Sequence, residues 1–226
     1  MKLVFLGLSL LFALPGFVHR LLTRRRRKAL DRIAHQFGLQ FAPVDLLGLI
    51  DHTFDLFNIA DSARSENVVW GTWKGVDVKA GELWFDSGKR GPLEAAMGIA
   101  QHFTFAFVAV PAWLPYLKIE RDPLAGVADD LGLDRIRPES AAFNRAYRVT
   151  CSDREFAYAF LDTRMMLWLL EVARRYPVEF EVYGRKMLLI MPRVRPGELP
   201  VLFGLAKGFR DRVPRMVLRE YALAGA

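Results

Sequence analysis

The sequence predicts an α+β fold in which an N-terminal transmembrane helix is followed by an antiparallel-sheet domain with helices packed on it. Three observations carry this prediction. An uncharged apolar run opens the chain, strand-like segments follow in pairs joined by short turns, and helical segments gather late. Paired strands with segregated helices are typical of the α+β class. With 52% hydrophobic and 25% charged residues, the composition excludes a disordered chain.

The N-terminal apolar run is predicted to be a membrane anchor. Residues 3–18 carry no charge, and a spanning helix needs about 20 residues. Residues 1–22 reach that length if Lys2 and Arg20 extend toward the headgroups. A basic block follows the run and no small-x-small cleavage site is present, which favours an anchor over a secretory signal. We assign residues 1–22 to the anchor, 23–37 to a basic juxtamembrane helix and 38–226 to a cytosolic α+β domain.

The net charge of +7 is concentrated beside this run, because residues 1–28 contain seven basic residues and no acidic one. The positive-inside rule then places the N-terminus outside the cell membrane and the C-terminal domain in the cytoplasm. Anionic headgroups of the bilayer are the predicted partner. The residues predicted to lie at the membrane surface are Arg20, Arg24, Arg25, Arg26, Arg27 and Lys28. The remaining 25 basic and 25 acidic residues balance, which argues against a nucleic-acid partner.

The first half of the body alternates between helical and strand patterns. Leu30, Ile33, Ala34 and Phe37 form a helical stripe that Gly38 can end. Residues 68–73 and 76–85 predict a hairpin around a Lys-Gly turn. Residues 103–110 predict a central strand, residues 117–120 a shorter one, and residues 143–149 another strand.

The second half is predicted to be mainly helical, with one further hairpin. Asp153 is placed to cap residues 154–175, which form one helix or two abutting helices. Residues 178–182 and 187–191 predict a hairpin around Gly184. Residues 198–210 predict a helix that Pro214 ends, and residues 216–221 a last turn or two. With six to eight strands expected, the sheet would have the usual size.

Motifs that carry catalytic chemistry are missing from the sequence. It contains no phosphate-binding glycine loop, no H-E-x-x-H and no G-x-S-x-G. We therefore expect no cofactor, metal site or catalytic residue. Cys151, the single cysteine, is interpreted as a buried structural residue at a strand end, because nothing nearby supplies a base for a thiolate.

Three tryptophans lie on the first predicted hairpin. Trp70 and Trp84 are placed to meet as a cross-strand pair. Exposed tryptophans would instead mark a binding face, since the ring is apolar and its N–H needs a partner. Trp70 and Trp73 are therefore candidate ligand-binding residues, with burial in the core as the open alternative.

A segment in the middle of the chain, residues 138–149, reads PESAAFNRAYRV. It resembles the segment E-S-x-x-F-N-R-x-[FY]-x-V of a group of uncharacterised bacterial membrane-associated proteins, and the likeness continues to residue 170. Pro138 stands where the family commonly has Phe. The resemblance implies a compact membrane-tethered domain of unknown function and brings no established activity.

The same segment supplies two further candidate ligand-binding residues, Glu139 and Arg145. Alternation along a strand would place Phe143, Arg145 and Tyr147 on one face. A buried Arg145 would need a carboxylate, and Glu139 is the nearest candidate. We interpret this pair first as a structural network at a strand-to-helix corner, and second as a ligand site.

Taken together, these patterns predict a membrane-tethered cytosolic module with a noncatalytic binding or scaffolding role at the inner membrane face. An unidentified protein is a second candidate partner beside the bilayer. The alternative is a small membrane-bound enzyme with a polar site around Glu139, Arg145 and Asp153, to which His102 could contribute. That alternative requires the four side chains to converge in one pocket.

Overall fold

The computed structural model describes residues 2–50, 53–57, 63–85, 101–121 and 134–222. Within these ranges, the side chains of residues 2–17, 19, 56, 85, 101, 134 and 135 lie outside the description. Across the described residues, an antiparallel sheet carries helices on one face. The predicted α+β class with an antiparallel sheet is therefore confirmed.

The described part of the sheet has seven strands in the order β1-β2-β3-β4-β6-β5, with β7 paired to β4. Every pairing is antiparallel. The strands are β1 Gln40–Val44, β2 Arg64–Trp73, β3 Val76–Phe85, β4 Gln101–Arg121, β5 Asp134–Ile136, β6 Tyr147–Cys151 and β7 Glu179–Pro192. The size of the sheet agrees with the six to eight strands expected.

The helices of the described part pack mainly on one face of this sheet. They are α1 Lys2–Gln36, α2 Ala141–Ala146, α3 Arg154–Phe160, α4 Thr163–Arg175, α5 Leu199–Arg210 and α6 Arg215–Glu220. The larger hydrophobic core lies between helices and sheet and includes Leu30, Ala106 and Phe203. A smaller core on the opposite face joins Phe54 and Phe105. The sheet thus separates two hydrophobic cores.

The C-terminal half of α1 belongs to the larger core. Leu30 and Ala34 are 3% and 0% exposed, which confirms the predicted stripe. Gly38 has φ +69°, and the Leu39 N–H donates to the Ala34 carbonyl at 2.8 Å. A left-handed residue after the last turn satisfies helix carbonyls in this way, so α1 ends where the sequence predicts.

The predicted hairpin of β2 and β3 is confirmed, but the predicted pairing of Trp70 with Trp84 is wrong. Trp70 lies opposite Lys79, and Trp84 lies opposite Arg64. The tight turn at Lys74 and Gly75, both with positive φ, fixes the register, as two-residue hairpin turns do.

Two segments that the sequence divides are single long strands. The two strands predicted over residues 103–120 are both part of β4, and the hairpin predicted around Gly184 is absent because β7 runs straight through it. Gly184 has φ +58° and lies opposite Leu114, where the register of β4 and β7 shifts. A positive-φ residue at such an irregularity bends a strand without reversing it.

The strand predicted over residues 143–149 begins too early. Residues 141–146 form α2, and β6 starts at Tyr147. The Phe143 N–H donates to Ser140 Oγ at 3.2 Å, so Ser140 caps this short helix as serine commonly does.

The later helices follow the prediction. The Phe156 N–H donates to Asp153 Oδ1 at 3.0 Å, which confirms Asp153 as the cap of α3. Asp162 caps α4 in the same manner, so residues 154–175 form two abutting helices. Two further predictions are also confirmed: the helix that ends before Pro214 and the short helix that follows this proline.

Candidate functional site

A buried ionic cluster joins α1 to the sheet. Glu82 is 2% exposed and is held by hydrogen bonds and ion pairs from three side chains. Arg26 of α1 pairs with Glu82 Oε1, Arg193 Nη2 donates to Oε2 at 2.7 Å, and Asn67 Nδ2 donates to Oε2 at 2.8 Å. A carboxylate this deeply buried requires such partners, since an unpaired buried charge is very costly.

The arginine that follows Arg26 extends the cluster to β2. Arg27 Nη2 donates to Glu66 Oε2 at 3.0 Å, and its Nε donates to Asn67 Oδ1 at 3.3 Å. Arg26 Nη2 also donates to the Val194 carbonyl at 2.6 Å, just past the end of β7. We call this set the α1 clamp; its members are Arg26, Arg27, Glu66, Asn67, Glu82 and Arg193.

The clamp exists because the strand pattern places a carboxylate among apolar residues. Val76, Val78 and Ala80 alternate toward the larger core, and Glu82 occupies the next position on that face. Asn67 has φ +54° at an irregularity of β2 between Glu66 and Val69, where asparagine tolerates the left-handed region. The alternation of β3 was therefore a sequence signal for a buried acid needing a cation.

The charges of the clamp change the titration of two groups. Burial alone would raise the pKa of Glu82, but hydrogen bonds and charge from Arg26 and Arg193 outweigh it, so the pKa lies below its ordinary value. His102 lies on β4 opposite Trp84. Burial, followed by the charge of Arg193, lowers the pKa of His102, which keeps this imidazole neutral at pH 7.

The basic residues at positions 20–28 therefore have two kinds of surroundings: some contact the body, and others are exposed to solvent. The Arg26 side chain is 17% exposed and that of Arg27 37%, and both contact the sheet. Successive helical residues point in directions about 100° apart, so a continuous basic run must also face the sheet. The members of the block that stay exposed are Arg20, Arg24, Arg25 and Lys28.

The two candidate tryptophans lie on opposite faces of β2. Trp73 is 7% exposed and packs against Phe203 of α5 with ring centroids 6.0 Å apart, which makes it a core residue. Trp70 is half-buried beside the smaller core. Neither tryptophan belongs to an exposed aromatic face.

Glu139 and Arg145 are both exposed, and no ion pair joins these two described residues. The strand alternation predicted for Arg145 is wrong, because residues 141–146 are helical. Asp153 is occupied as the α3 cap and also accepts from the Tyr221 hydroxyl at 3.2 Å.

The polar site of the enzyme alternative is not assembled. The five-residue β6 separates Arg145 from Asp153, a distance of roughly 16 Å along a strand. His102 lies at the start of β4, whereas Leu117 near its other end pairs with Cys151. Cys151 is 1% exposed and its Sγ lies 2.9 Å from the Tyr116 carbonyl, which agrees with a structural cysteine.

A second polar cluster, which the sequence interpretation missed, lies on the sheet toward the other end of β4. The Tyr116 hydroxyl donates to Asp55 Oδ2 at 2.8 Å, and the Asp55 N–H donates to Glu181 Oε1 at 2.7 Å. Burial, helped by Glu181 and Asp55, raises the pKa of Tyr116 well above its ordinary value. Burial, helped by the Glu120 charge, raises the pKa of Glu179.

Neither polar cluster is a metal site. Across the described ranges, no group of three or more His, Cys, Asp or Glu side chains is arranged to hold an ion. Among residues with described side chains, we find no helix with the length and apolarity to cross a membrane. The side chains of most of the anchor predicted over residues 1–22 lie outside that description.

The fold is shared with a mycobacterial protein. The crystal structure of the mycobacterial trehalose monomycolate transport factor A, TtfA, matches with a TM-score of 0.58 and 15% sequence identity. The match covers 90% of this chain and 98% of that chain. No family model and no curated protein matches the chain. At this identity, the similarity concerns the fold alone.

Proposed function

We propose that the protein is a membrane-tethered, noncatalytic module whose body is held at the inner face of the cell membrane by α1. The observation that carries this proposal is the pairing of Arg26 with buried Glu82. This pair ties the helix that begins in the apolar run to the sheet of the body. Because the pair holds α1 against the sheet, the orientation of α1 in the membrane would also fix the orientation of the body.

The exposed cations of α1 support placement at a lipid surface. Arg20, Arg24, Arg25 and Lys28 are exposed just before the part of α1 that docks on the body. Each basic residue near an anionic leaflet contributes about 1 kcal/mol. The heavier charge after the apolar run favours a cytoplasmic body and an external N-terminus.

The likeness to TtfA supports a role near lipid transport. TtfA is named as a factor for transport of trehalose monomycolate, and a noncatalytic accessory role would fit a chain without catalytic motifs. Under this proposal, the module binds lipid or a protein of a lipid-transport assembly at the inner membrane face. The shared fold and the predicted anchor are the two supports.

Membrane fractionation of the full chain tests the tether. The native chain is expected to sediment with membranes and to resist alkaline carbonate, whereas Leu10→Arg combined with Leu11→Arg is expected to release it. Each arginine at the centre of a spanning helix costs about 2.5–3.5 kcal/mol. The control is Leu21→Arg combined with Leu22→Arg, at the predicted headgroup level, which is expected to leave the chain in the membrane. A native chain that stays soluble would contradict the tether.

Protease added from outside intact cells tests the orientation. A cytoplasmic body is expected to be protected until the membrane is permeabilised. Digestion of the body in intact cells would reverse the proposed topology. A photoactivatable phospholipid then tests lipid contact, and crosslinking that is absent from the full chain in its membrane would contradict lipid binding.

A further inference from the structure

A cleft that combines apolar and basic side chains lies beside the smaller hydrophobic core. Its volume is about 360 Å³, which is within the range of sites for small molecules. Strands β3, β4 and β7 line it, together with the loop that follows β1. We call it the β7 cleft.

The apolar part of the β7 cleft is continuous with the smaller core. Leu49 and Phe107 are each 7% exposed and belong to that core. Leu47 also lines the cleft and is 39% exposed. Covering such an exposed leucine with an apolar ligand is favourable, because apolar surface leaves water. The cleft can therefore accept a hydrocarbon chain.

The loop that forms one side of the cleft is held by Asp45. Its Oδ1 accepts from the Leu47 N–H at 3.0 Å, and its Oδ2 accepts from the Leu49 N–H at 2.7 Å. Gly48, between these leucines, has φ +58°, and a Cβ there would meet no atom within 4 Å. The loop is thus fixed while open space remains in front of it. A ligand that binds a fixed loop pays little ordering entropy.

Two cations of the cleft have no charged partner within the described part of the chain. Lys79 of β3 lies opposite Phe107 of β4, so the two side chains share one face of the sheet. Arg185 belongs to β7. Lys79 and Arg185 are both exposed, and neither side chain forms a hydrogen bond or ion pair with another described residue. A bound anion would neutralise them.

The other charged residues of the cleft have contacts of their own. Asp77 Oδ1 accepts from the Thr72 hydroxyl at 2.7 Å. Lys186 Nζ lies 5.9 Å from the centroid of the Phe107 ring, a cation–π distance. We therefore assign the binding of an anion to Lys79 and Arg185 alone.

We propose that the β7 cleft binds an amphiphile that has one acyl chain and an anionic headgroup. The acyl chain lies against Leu47, Leu49 and Phe107. The headgroup is bound by Lys79 and Arg185, since ammonium and guanidinium groups form charge-assisted hydrogen bonds with anionic oxygens. This inference deepens the lipid-binding role proposed above and rests on it, because it names the class of lipid and its place on the body.

Photocrosslinking of the full chain in nanodiscs of neutral phosphatidylcholine tests the cleft. The probe is dodecanoic acid that carries a diazirine at the end of its acyl chain, and mass spectrometry locates the adducts. We expect adducts on residues 47–49 and on Phe107, with a yield that saturates as the probe concentration rises. A dodecyl amine with the same diazirine is expected not to label the cleft, because its charge is repelled there.

Removing the two cations tests the headgroup site. Lys79→Gln combined with Arg185→Gln is expected to raise the probe concentration for half-maximal labelling by about tenfold or more, because two charge-assisted hydrogen bonds are lost. Arg174→Gln combined with Arg219→Gln is the matched control. Both of these arginines are exposed and neither lines the cleft, so labelling should stay at the native level.

Two adjacent leucines test the acyl-chain site. Leu47 lines the cleft, whereas Leu46 is 70% exposed and does not line it. Leu47→Glu places a carboxylate beside the ligand and is expected to weaken labelling by about fivefold, the effect of one like charge at close range in water. Leu46→Glu should have a smaller effect. Equal melting temperatures of the two variants would exclude misfolding as the cause.

Three results would each overturn the proposal: no saturable labelling of the cleft by the dodecanoic acid probe, equal labelling by the amine probe, or equal effects of Leu46→Glu and Leu47→Glu. Failure of the cleft is distinguishable from failure of the proposed function. A photoactivatable phospholipid that labels the body elsewhere, with the cleft unlabelled, would overturn the cleft and support lipid binding. A chain that is labelled in the cleft but does not sediment with membranes would overturn the tether alone.

Discussion

Arg26 of α1 forms an ion pair with Glu82 of β3, a carboxylate that is 2% exposed and lies 56 residues further along the chain. The neighbouring Arg25 is exposed. Adjacent residues of one basic run thus have different surroundings, because the helix turns by about 100° between them. The body is tied to α1 by some of these charges, while others remain exposed.

Removing the charge of Glu82 is expected to destabilise the fold. Glu82→Gln leaves Arg26 and Arg193 without their carboxylate, and breaking a buried ion pair from one side costs about 3–5 kcal/mol. Urea unfolding of the full chain in detergent micelles, followed by tryptophan fluorescence, measures this loss.

Glu66→Gln is the matched control for that experiment. Its side chain is 24% exposed and, among the described residues, forms an ion pair only with the more exposed Arg27, so the expected cost is below about 1 kcal/mol. Equal losses for the two variants would mean that the buried Glu82 carboxylate contributes no more than the more exposed pair of Glu66 and Arg27.

Arg26→Gln and Arg25→Gln are expected to separate stability from lipid binding. Arg26→Gln removes a partner of buried Glu82 and should lower the free energy of unfolding by about 3–5 kcal/mol. Arg25→Gln should leave stability unchanged within about 0.5 kcal/mol. The two changes remove the same charge from adjacent positions of one helix.

The second readout for this pair is the shift in tryptophan fluorescence when anionic lipid is titrated into neutral nanodiscs that hold the full chain. Arg25→Gln is expected to weaken this response, because each basic residue near an anionic surface contributes about 1 kcal/mol. Arg26→Gln should weaken it less. The opposite order would show that the clamp arginine, rather than the exposed one, meets the headgroups.

Stability is expected to fall as the pH is lowered from neutral. His102 has a folded pKa below its ordinary 6.5, so its contribution is present above about pH 6.5 and is lost as the pH falls through the folded value. Glu82 has a folded pKa below 4.5, so its contribution is lost at lower pH still. Thermal melts of the full chain across this range measure both losses.

The variant His102→Gln isolates the first of these two steps. It is expected to remove the decline that begins near pH 6.5 and to leave the more acidic decline that depends on Glu82. Glu179 acts in the opposite direction, because its pKa is raised and its contribution is lost as the pH rises. A His102→Gln curve identical to the native one would show that His102 does not control the first step.

Local sequence signals predicted the elements that depend on local chemistry. The end of α1 at Gly38, the hairpin turn at Lys74 and the cap at Asp153 each follow from one residue and its immediate neighbours. The long strands β4 and β7 did not follow, because proline and Gly184 usually interrupt strands. Only the pairing of β4 with β7 shows that these positions form irregularities inside continuous strands.

The clamp could be predicted only in part. The alternation that buries Glu82 is visible in the sequence, but its partners come from α1 and from the end of β7, which no local pattern brings together. The sequence predicts one basic surface for residues 20–28. A sequence shows these charges, but it does not show which of them face the sheet and which face the solvent.

Ser140→Ala is expected to lower the stability of the fold. Ser140 Oγ accepts from the Phe143 N–H at 3.2 Å, and losing an N-cap serine costs about 1 kcal/mol. Ser152→Ala is the control, since Ser152 is exposed and its hydroxyl lies 3.4 Å from the Tyr116 carbonyl. It should cost less than about 0.5 kcal/mol. If residues 141–146 were a strand, Ser140→Ala would be as neutral as the control, so urea unfolding of the two variants decides between helix and strand.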